Sequence, residues 1–214
     1  MSKSISYFLM LRNRHLKYAT LYINLSKRDD RRKEIENELN NFQLNYERFD
    51  AISTPNFGIY GCGLSHLSVL KMAKERNYKN ILILEDDFQF VVSKEVFEDN
   101  LKKFFEHNID YNVCMLSYNV HEFVICDKIN VNKVLFAQTA SGYIINSNYY
   151  DKLITLYEWC LPLLISTKQH WIYANDIVWK DYQKNDNWYY FKIRIGKQRA
   201  GYSDNGNSFC DYGV

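Results

Sequence analysis

"NILILEDDFQFV" (residues 80–91) drives an apolar run, Ile81 to Leu84, straight into three consecutive carboxylates, Glu85, Asp86 and Asp87, before Phe88 restores apolar character. The run is uncharged, which predicts a strand buried on both faces, as in a parallel sheet covered by helices. Three like charges at its end repel one another and are costly to desolvate. They are either a solvated acidic turn or a cluster met by a cation or by ordered donors. Ligands in open α/β sheets gather beyond the carboxyl ends of the strands, where this cluster falls. Alternation along an extended strand end puts Glu85 and Asp87 on one side and Asp86 on the other. Glu85 and Asp87 are then candidate ligands for Mn²⁺ or Mg²⁺, which suit one or two carboxylates plus phosphate oxygens. Asp86 is left to accept from a hydroxyl or a backbone donor.

Upstream, "ATLYINL" (19–25) reads as a first strand and "SKRDDRRKEIENELNNF" (26–42) as a helix. Ser26 and Asp29 give an S-x-x-D capping signature, and Ile35, Leu39 and Phe42 keep helical spacing. "YERFDAI" (46–52) is a second strand, and "GCGLSHLSVLKMAKERN" (61–77) a glycine-rich loop turning into a helix. Downstream come a helix (94–107), a strand (111–118), a run of short strands (121–146), a helix (148–159), a late strand (188–193) and a loop tail. Strands alternating with helices imply one α/β domain with a mostly parallel central sheet. Residues 1–18 read as an N-terminal extension and 19–214 as the domain.

Composition excludes several classes. The formal net charge is +2, and the densest basic stretch, "KRDDRRK" (27–33), is broken by two aspartates, so nucleic acid is not an expected partner. Five widely spaced cysteines without a CxxC pair argue for reduced, mostly buried thiols and against a disulfide framework or a zinc site. No stretch approaches the ~20 apolar residues of a transmembrane span, and the early run "YFLML" is too short for a signal segment. A soluble protein is expected, cytoplasmic by default, in a bacterium or a virus-infected host cell. The 16% aromatic content would permit a homodimer.

Two further stretches bear on chemistry. In "YINLSKRDDRR" (22–32) a strand ends at Asn24 and a helix follows with Arg28, Arg31 and Arg32. A helix N-terminus there suits a phosphate or ribose, and an arginine can pair with a diphosphate. The alternative is a solvated face with i,i+4 pairs such as Arg32–Glu36. No GxGxxG fingerprint is present. In "GIYGCGLSHLSVL" (58–70) three glycines in six residues precede Ser65 and His66. Such a turn lets backbone N–H groups approach an anion; the alternative for His66 is a structural role.

Taken in order, "LYINLSKRDDRR", "ERFDAI", "GCGLSHLSVLKMAKE", "ILILEDDFQF" and "QRAGYSDN" resemble glycosyltransferase family 25 from about residue 19 to residue 205. That family includes bacterial lipooligosaccharide galactosyltransferases and collagen hydroxylysine galactosyltransferases. The resemblance implies a GT-A-like fold, a UDP-sugar donor (typically UDP-galactose), Mn²⁺ dependence and inversion at the anomeric carbon. It also implies a glycan or collagen-like acceptor. Its motifs fall on Asn24, Arg31 and Arg32 beside the nucleotide, on Gly61, Ser65 and His66 in the loop–helix segment, and on Glu85, Asp86 and Asp87 in the acidic cluster.

An inverting transfer needs a base separate from the metal cluster to take the acceptor hydroxyl's proton. Asp176 in "HWIYANDIVWKDY" (170–182) is the candidate, at a helix start with Trp171, Tyr173 and Trp179 nearby as faces for a sugar ring. The alternative is a helix cap beside core aromatics. Asp204 is a candidate extra metal ligand, and Thr139, Ser141, Gly142 and Trp179 are candidates to border the acceptor. Two other readings remain: a sugar-nucleotide-binding module that has lost catalysis, and a metal-dependent nucleotidyltransferase.

Overall fold

The computed structural model describes residues 18–203, 208–211 and 213. Most of the expected N-terminal extension, residues 1–17, and Asp204 lie outside the described residues. The first half comprises β1 (Ala19–Asn24), α1 (Asp29–Asn41), β2 (Glu47–Asp50), α2 (Gly58–Glu75), β3 (Asn80–Glu85), β4 (Phe88–Phe90) and α3 (Lys94–Glu106). The second half opens with β5 (Val113–Met115), β6 (Asn119–Val124), β7 (Val131–Gln138), β8 (Gly142–Asn146) and the long α4 (Tyr150–Thr167). Three short helices follow, α5 (His170–Tyr173), α6 (Asn175–Val178) and α7 (Lys180–Gln183). The described chain closes with β9 (Trp188–Phe191), β10 (Gly196–Gln198), β11 (Gly201–Ser203) and β12 (Ser208–Cys210).

Eight strands form one sheet in the order β2-β1-β3-β8-β5-β9-β7-β6. β2, β1 and β3 are mutually parallel, as are β5 and β9, whereas β8 and β7 run against their neighbours. Six of the eight strands therefore point the same way, as the alternation of elements predicts. Period-two alternation divides the core into two layers. Ile81 and Ile83 pack with Leu21, Ile23 and residues of α2 and α4 on one face. Leu82 and Leu84 pack with Tyr22 and residues of α1 and α3 on the other. All four side chains of the ILIL run are fully buried, each worth about 1.5–3 kcal/mol of hydrophobic stabilisation.

This topology delivers the functional residues to one edge. β1, β2 and β3 end there, with Asn24 opposite Asp50 and Ile23 opposite Glu85. β8 runs the other way, so its start lies at the same edge: Gly142 faces Leu84, and the Glu85 amide donates to the Ser141 carbonyl at 2.9 Å. β10 pairs with β4, setting Gln198 opposite Phe88 and returning the tail to the acidic cluster.

Two local expectations need correction. α1 starts at Asp29 with Arg28 as its N-cap residue and no side-chain cap, so Ser26 does not cap it. The turn before it is held instead by the Arg28 amide on the Leu25 carbonyl and by Asn24 Nδ2 on the Arg28 carbonyl. The glycine-rich stretch is not a loop: α2 is already under way at Gly58, so Gly61 and Gly63 lie inside it. Their role is close approach. A Cβ on Gly61 would run into the Ile52 carbonyl and the Thr54 hydroxyl, and one on Gly63 would lie 2.5 Å from a Leu161 methyl of α4. Gly61→Ala is therefore expected to cost about 1–3 kcal/mol as overpacking against rigid backbone, read as a lower urea midpoint at unchanged m. A wild-type midpoint would mean that residues 51–54 move aside freely.

Candidate active site

Glu85 is the last residue of β3, and Asp86 and Asp87 form the turn that follows. The alternation expected for an extended strand end fails here because the strand has stopped. Asp86 and Asp87 both turn to one cation: Arg31 Nη1 lies 3.0 Å from Asp86 Oδ1 and 3.0 Å from Asp87 Oδ2. Arg31 sits in the first turn of α1 and also donates to the Tyr202 carbonyl. Asp86 Oδ2 accepts from Asn24 Nδ2 at 2.8 Å, while Asn24 Oδ1 accepts from Arg48 Nε at 3.0 Å. The Asn24 side chain thus orients Asp86 with both ends engaged. Gln198 Nε2 donates to Asp87 Oδ2 at 3.0 Å. Nothing in the sequence singled out Gln198, although it opens the quoted tail motif, because only the β4–β10 pairing brings it here.

Glu85 turns the other way. Its Oε1 lies 2.9 Å from His66 Nε2 and 3.6 Å from Cys62 Sγ, and His66 Nδ1 lies 2.9 Å from Tyr143 Oη. His66 is fully buried and meets Glu85 there. Ser65 Oγ accepts from the Ile52 amide and donates to the Gly61 carbonyl, fastening the β2–α2 loop to the helix. The turn expected to offer backbone amides to an anion is instead a continuing helix that contains Gly61, Ser65 and His66. Arg32 points outward and pairs with Glu36 at 3.0 Å, the i,i+4 pair.

The electrostatics follow from this geometry. Burial raises the Glu85 pKa, but the hydrogen bond and charge of His66 outweigh it and hold the carboxyl below its ordinary range. Burial lifts Asp86 against the pull of Arg31. Burial and then the Glu85 charge push Asp87 up to about 7. Asp86 and Asp87 share the single guanidinium of Arg31, leaving one net negative charge, and the buried Asp87 Oδ1 has no hydrogen-bond partner. An oxygen-ligated divalent cation fits both facts: it balances the charge and gives Asp87 Oδ1 a partner.

Two adjoining depressions flank this cluster. One is lined by Asn24, Leu25, Arg31, Ser65 and the three carboxylates. The other is lined by Thr139, Ser141, His170, Trp171, Asn175 and Asp176. Cys62, Glu85 and Gln198 line both. In the second, Asp176 Oδ2 accepts from the Thr139 amide at 3.2 Å, with Thr139 at φ +90°. Burial raises the Asp176 pKa, the Thr139 bond opposes this, and the Glu85 charge adds to it. The buried Asn175 Nδ2 has no partner. Trp171 is exposed, whereas Trp179 is fully buried against Tyr143 and Trp188. The expectation that Trp179 borders an acceptor is therefore corrected: it is core. Gly142 is also interior, where a Cβ would lie 2.5 Å from the Phe88 ring.

The family model for glycosyltransferase family 25 (LPS biosynthesis protein) matches residues 56–167, which include α2, the acidic cluster and β8. The chain belongs to glycosyltransferase family 25. It is a glycosyltransferase with a mixed α/β fold built on one large sheet. No curated protein matches this family 25 chain. Solved structures resemble it loosely. A glycosyltransferase involved in glycosylation of the major capsid of PBCV-1 shares 9% identity over 85% of this chain and 92% of that one, with a TM-score of 0.49. GlyE of Streptococcus pneumoniae TIGR4, also a glycosyltransferase, shares 12% over 82% and 45%, at 0.47. A197 from STIV shares 14% over 81% of each chain, at 0.42. No helix among the described residues is long and apolar enough to cross a membrane.

Proposed function

We propose that this family 25 glycosyltransferase moves a hexose, galactose in the first instance, from a UDP-sugar to a glycan or hydroxylysine hydroxyl with inversion, assisted by Mn²⁺ or Mg²⁺. The observation that carries the reading is the junction of the two depressions at Cys62, Glu85 and Gln198. A donor in the acidic half and an acceptor in the other half would meet there.

Glu85 and Asp87 are the residues that would hold the cation, beside Asp86, and when bound it neutralises charge on the departing diphosphate. Arg31 lines the same half and brings a guanidinium to those phosphates. The anomeric C–O bond to the diphosphate breaks with its electron pair leaving on UDP, and the acceptor oxygen bonds to the opposite face of that carbon. The acceptor's proton passes to the Asp176 carboxylate, which the Thr139 amide holds in place. Its raised pKa makes Asp176 a stronger base than a solvated aspartate. Asn175 Nδ2, a buried donor without a partner, is available to an acceptor hydroxyl. Trp171 offers an aromatic face to the ring's apolar side.

UDP release from a panel of UDP-sugars, with Mn²⁺ or with EDTA, tests the reading. Mn²⁺-dependent release from one preferred donor, accelerated by a glycan acceptor, is expected. UDP binding with no release from any donor would replace it with a binding module. Nucleotidyl transfer with release of pyrophosphate would replace it with a nucleotidyltransferase.

A further inference from the structure

Cys62 and His66 lie four residues apart on α2, one helical turn, and so share a face. That face meets the end of β3, where Cys62 Sγ, His66 Nε2 and a Glu85 oxygen lie within 4.8 Å of one another. We propose that these three side chains form a second cation site, selective for a thiophilic divalent ion such as Zn²⁺, which draws Glu85 away from the oxygen set it makes with Asp86 and Asp87.

The donor chemistry separates the two sets. A thiolate, an imidazole and a carboxylate match the sulfur, nitrogen and oxygen ligands of zinc, while Mn²⁺ and Mg²⁺ favour oxygen alone. The geometry fits three protein ligands with a fourth position open. Cys62 and Glu85 line both depressions, so water or a substrate oxygen can complete a tetrahedron from the cleft. His66 has the outer partner expected of a zinc-binding imidazole. Tyr143 Oη at 2.9 Å holds Nδ1, fixing the ring with Nε2 aimed at the cluster. The absence of CxxC spacing hid this site, because its third ligand comes from a strand nineteen residues beyond His66.

The protons balance. Ion binding replaces the His66–Glu85 hydrogen bond. The proton on His66 Nε2 and the Cys62 thiol proton both leave to water, while the proton on Nδ1 stays and is accepted by Tyr143 Oη. Thiolate and Glu85 carboxylate then neutralise the two charges of the ion. Because the ion would sit at the junction of the two halves and hold Glu85, it would stop sugar transfer. This consequence rests on the function proposed above; the binding does not.

The test uses the full chain with the partly exposed Cys126 and Cys210 changed to serine, leaving Cys62 with the buried Cys114 and Cys160. Co²⁺ is titrated as a spectroscopic stand-in for Zn²⁺. One equivalent should produce a thiolate-to-cobalt charge-transfer band that Zn²⁺ bleaches. Cys62→Ser, which preserves shape, should remove the band and weaken Zn²⁺ at least about a hundredfold in competition with a chelator, since losing even an outer-shell partner costs about 10–100-fold. Asp87→Asn should leave both unchanged. No band, a band that survives Cys62→Ser, or an equal loss in Asp87→Asn would overturn the site. In the UDP-release assay with Mn²⁺, one equivalent of Zn²⁺ should inhibit the parent about tenfold or more and spare Cys62→Ser; binding without inhibition would overturn its placement at the junction. If the chain transfers no sugar at all, the proposed function fails while the cobalt spectrum still decides the zinc site.

Discussion

Asp176→Asn is expected to lower kcat for sugar transfer by about 10²–10⁴-fold, the usual contribution of a positioned proton acceptor, with donor affinity unchanged. Asparagine can still accept the Thr139 amide through its side-chain oxygen, so the local structure should persist. What it cannot do is take a proton from the acceptor hydroxyl. The loss should therefore appear in kcat rather than in UDP-sugar binding, which involves the other half of the cleft. The pH profile gives a second readout. Burial and the Glu85 charge raise the Asp176 pKa, so the acid limb of the wild-type profile should lie above the ordinary aspartate value of about 4 and vanish in the variant. Initial rates of UDP release with acceptor present, paired with calorimetric donor binding, measure both. Wild-type turnover in the variant would remove Asp176 from the mechanism.

Asp87→Asn is expected to abolish metal-stimulated UDP release, a loss on the order of a thousandfold if the lost electrostatic stabilisation is about 4 kcal/mol. The same substitution should stabilise the metal-free fold. The Asp87 pKa is raised from 3.8 to about 7 by burial and the neighbouring Glu85. Between those values the folded protein keeps a proton that the unfolded chain has released. Stability therefore falls as pH rises from about 4 to about 7, and the whole cost is present above that window. The cost is on the order of a few kcal/mol. In EDTA, Asp87→Asn should melt higher than wild type above pH ~7 and match it below pH ~4. Mn²⁺ should raise Tm for wild type and do little for the variant. A Tm difference independent of pH would show that the Asp87 charge is not strained in the fold. A site that weakens the fold it belongs to is the expected trade between stability and activity.

The legible parts of this molecule were those written in local pattern. An uncharged ILIL run can only be buried on both sides, and its four side chains do divide between the two core layers. The helices at 29–41 and 94–106 carried their apolar spacing openly. The misreadings came where a local rule met a long-range contact. Glycines 61 and 63 looked like an anion-binding turn, yet each is small because something packs against it: the residue 52–54 backbone in one case and Leu161 in the other. Trp179 looked like a sugar platform because it lies near Asp176 in sequence. It lies instead in the core, edge-on to Tyr143 and Trp188, whose strands sequence proximity does not reveal.

The sequence by itself determined the α/β class, the strand that ends in Glu85-Asp86-Asp87, and the family, because period, charge and motif order are properties of short windows. Only the tertiary structure decided which way each carboxylate faces. Asp86 and Asp87 turn to Arg31, and Glu85 turns to His66 and Cys62. It also decided that Thr139, Ser141, Asp176 and Gln198 reach the same edge, through the reversed strand β8, the short α6 and the β10–β4 pairing. Side-chain direction at a strand end depends on where the backbone leaves the sheet and which opposite charge lies within hydrogen-bond reach, and both are set by contacts between residues far apart in the chain.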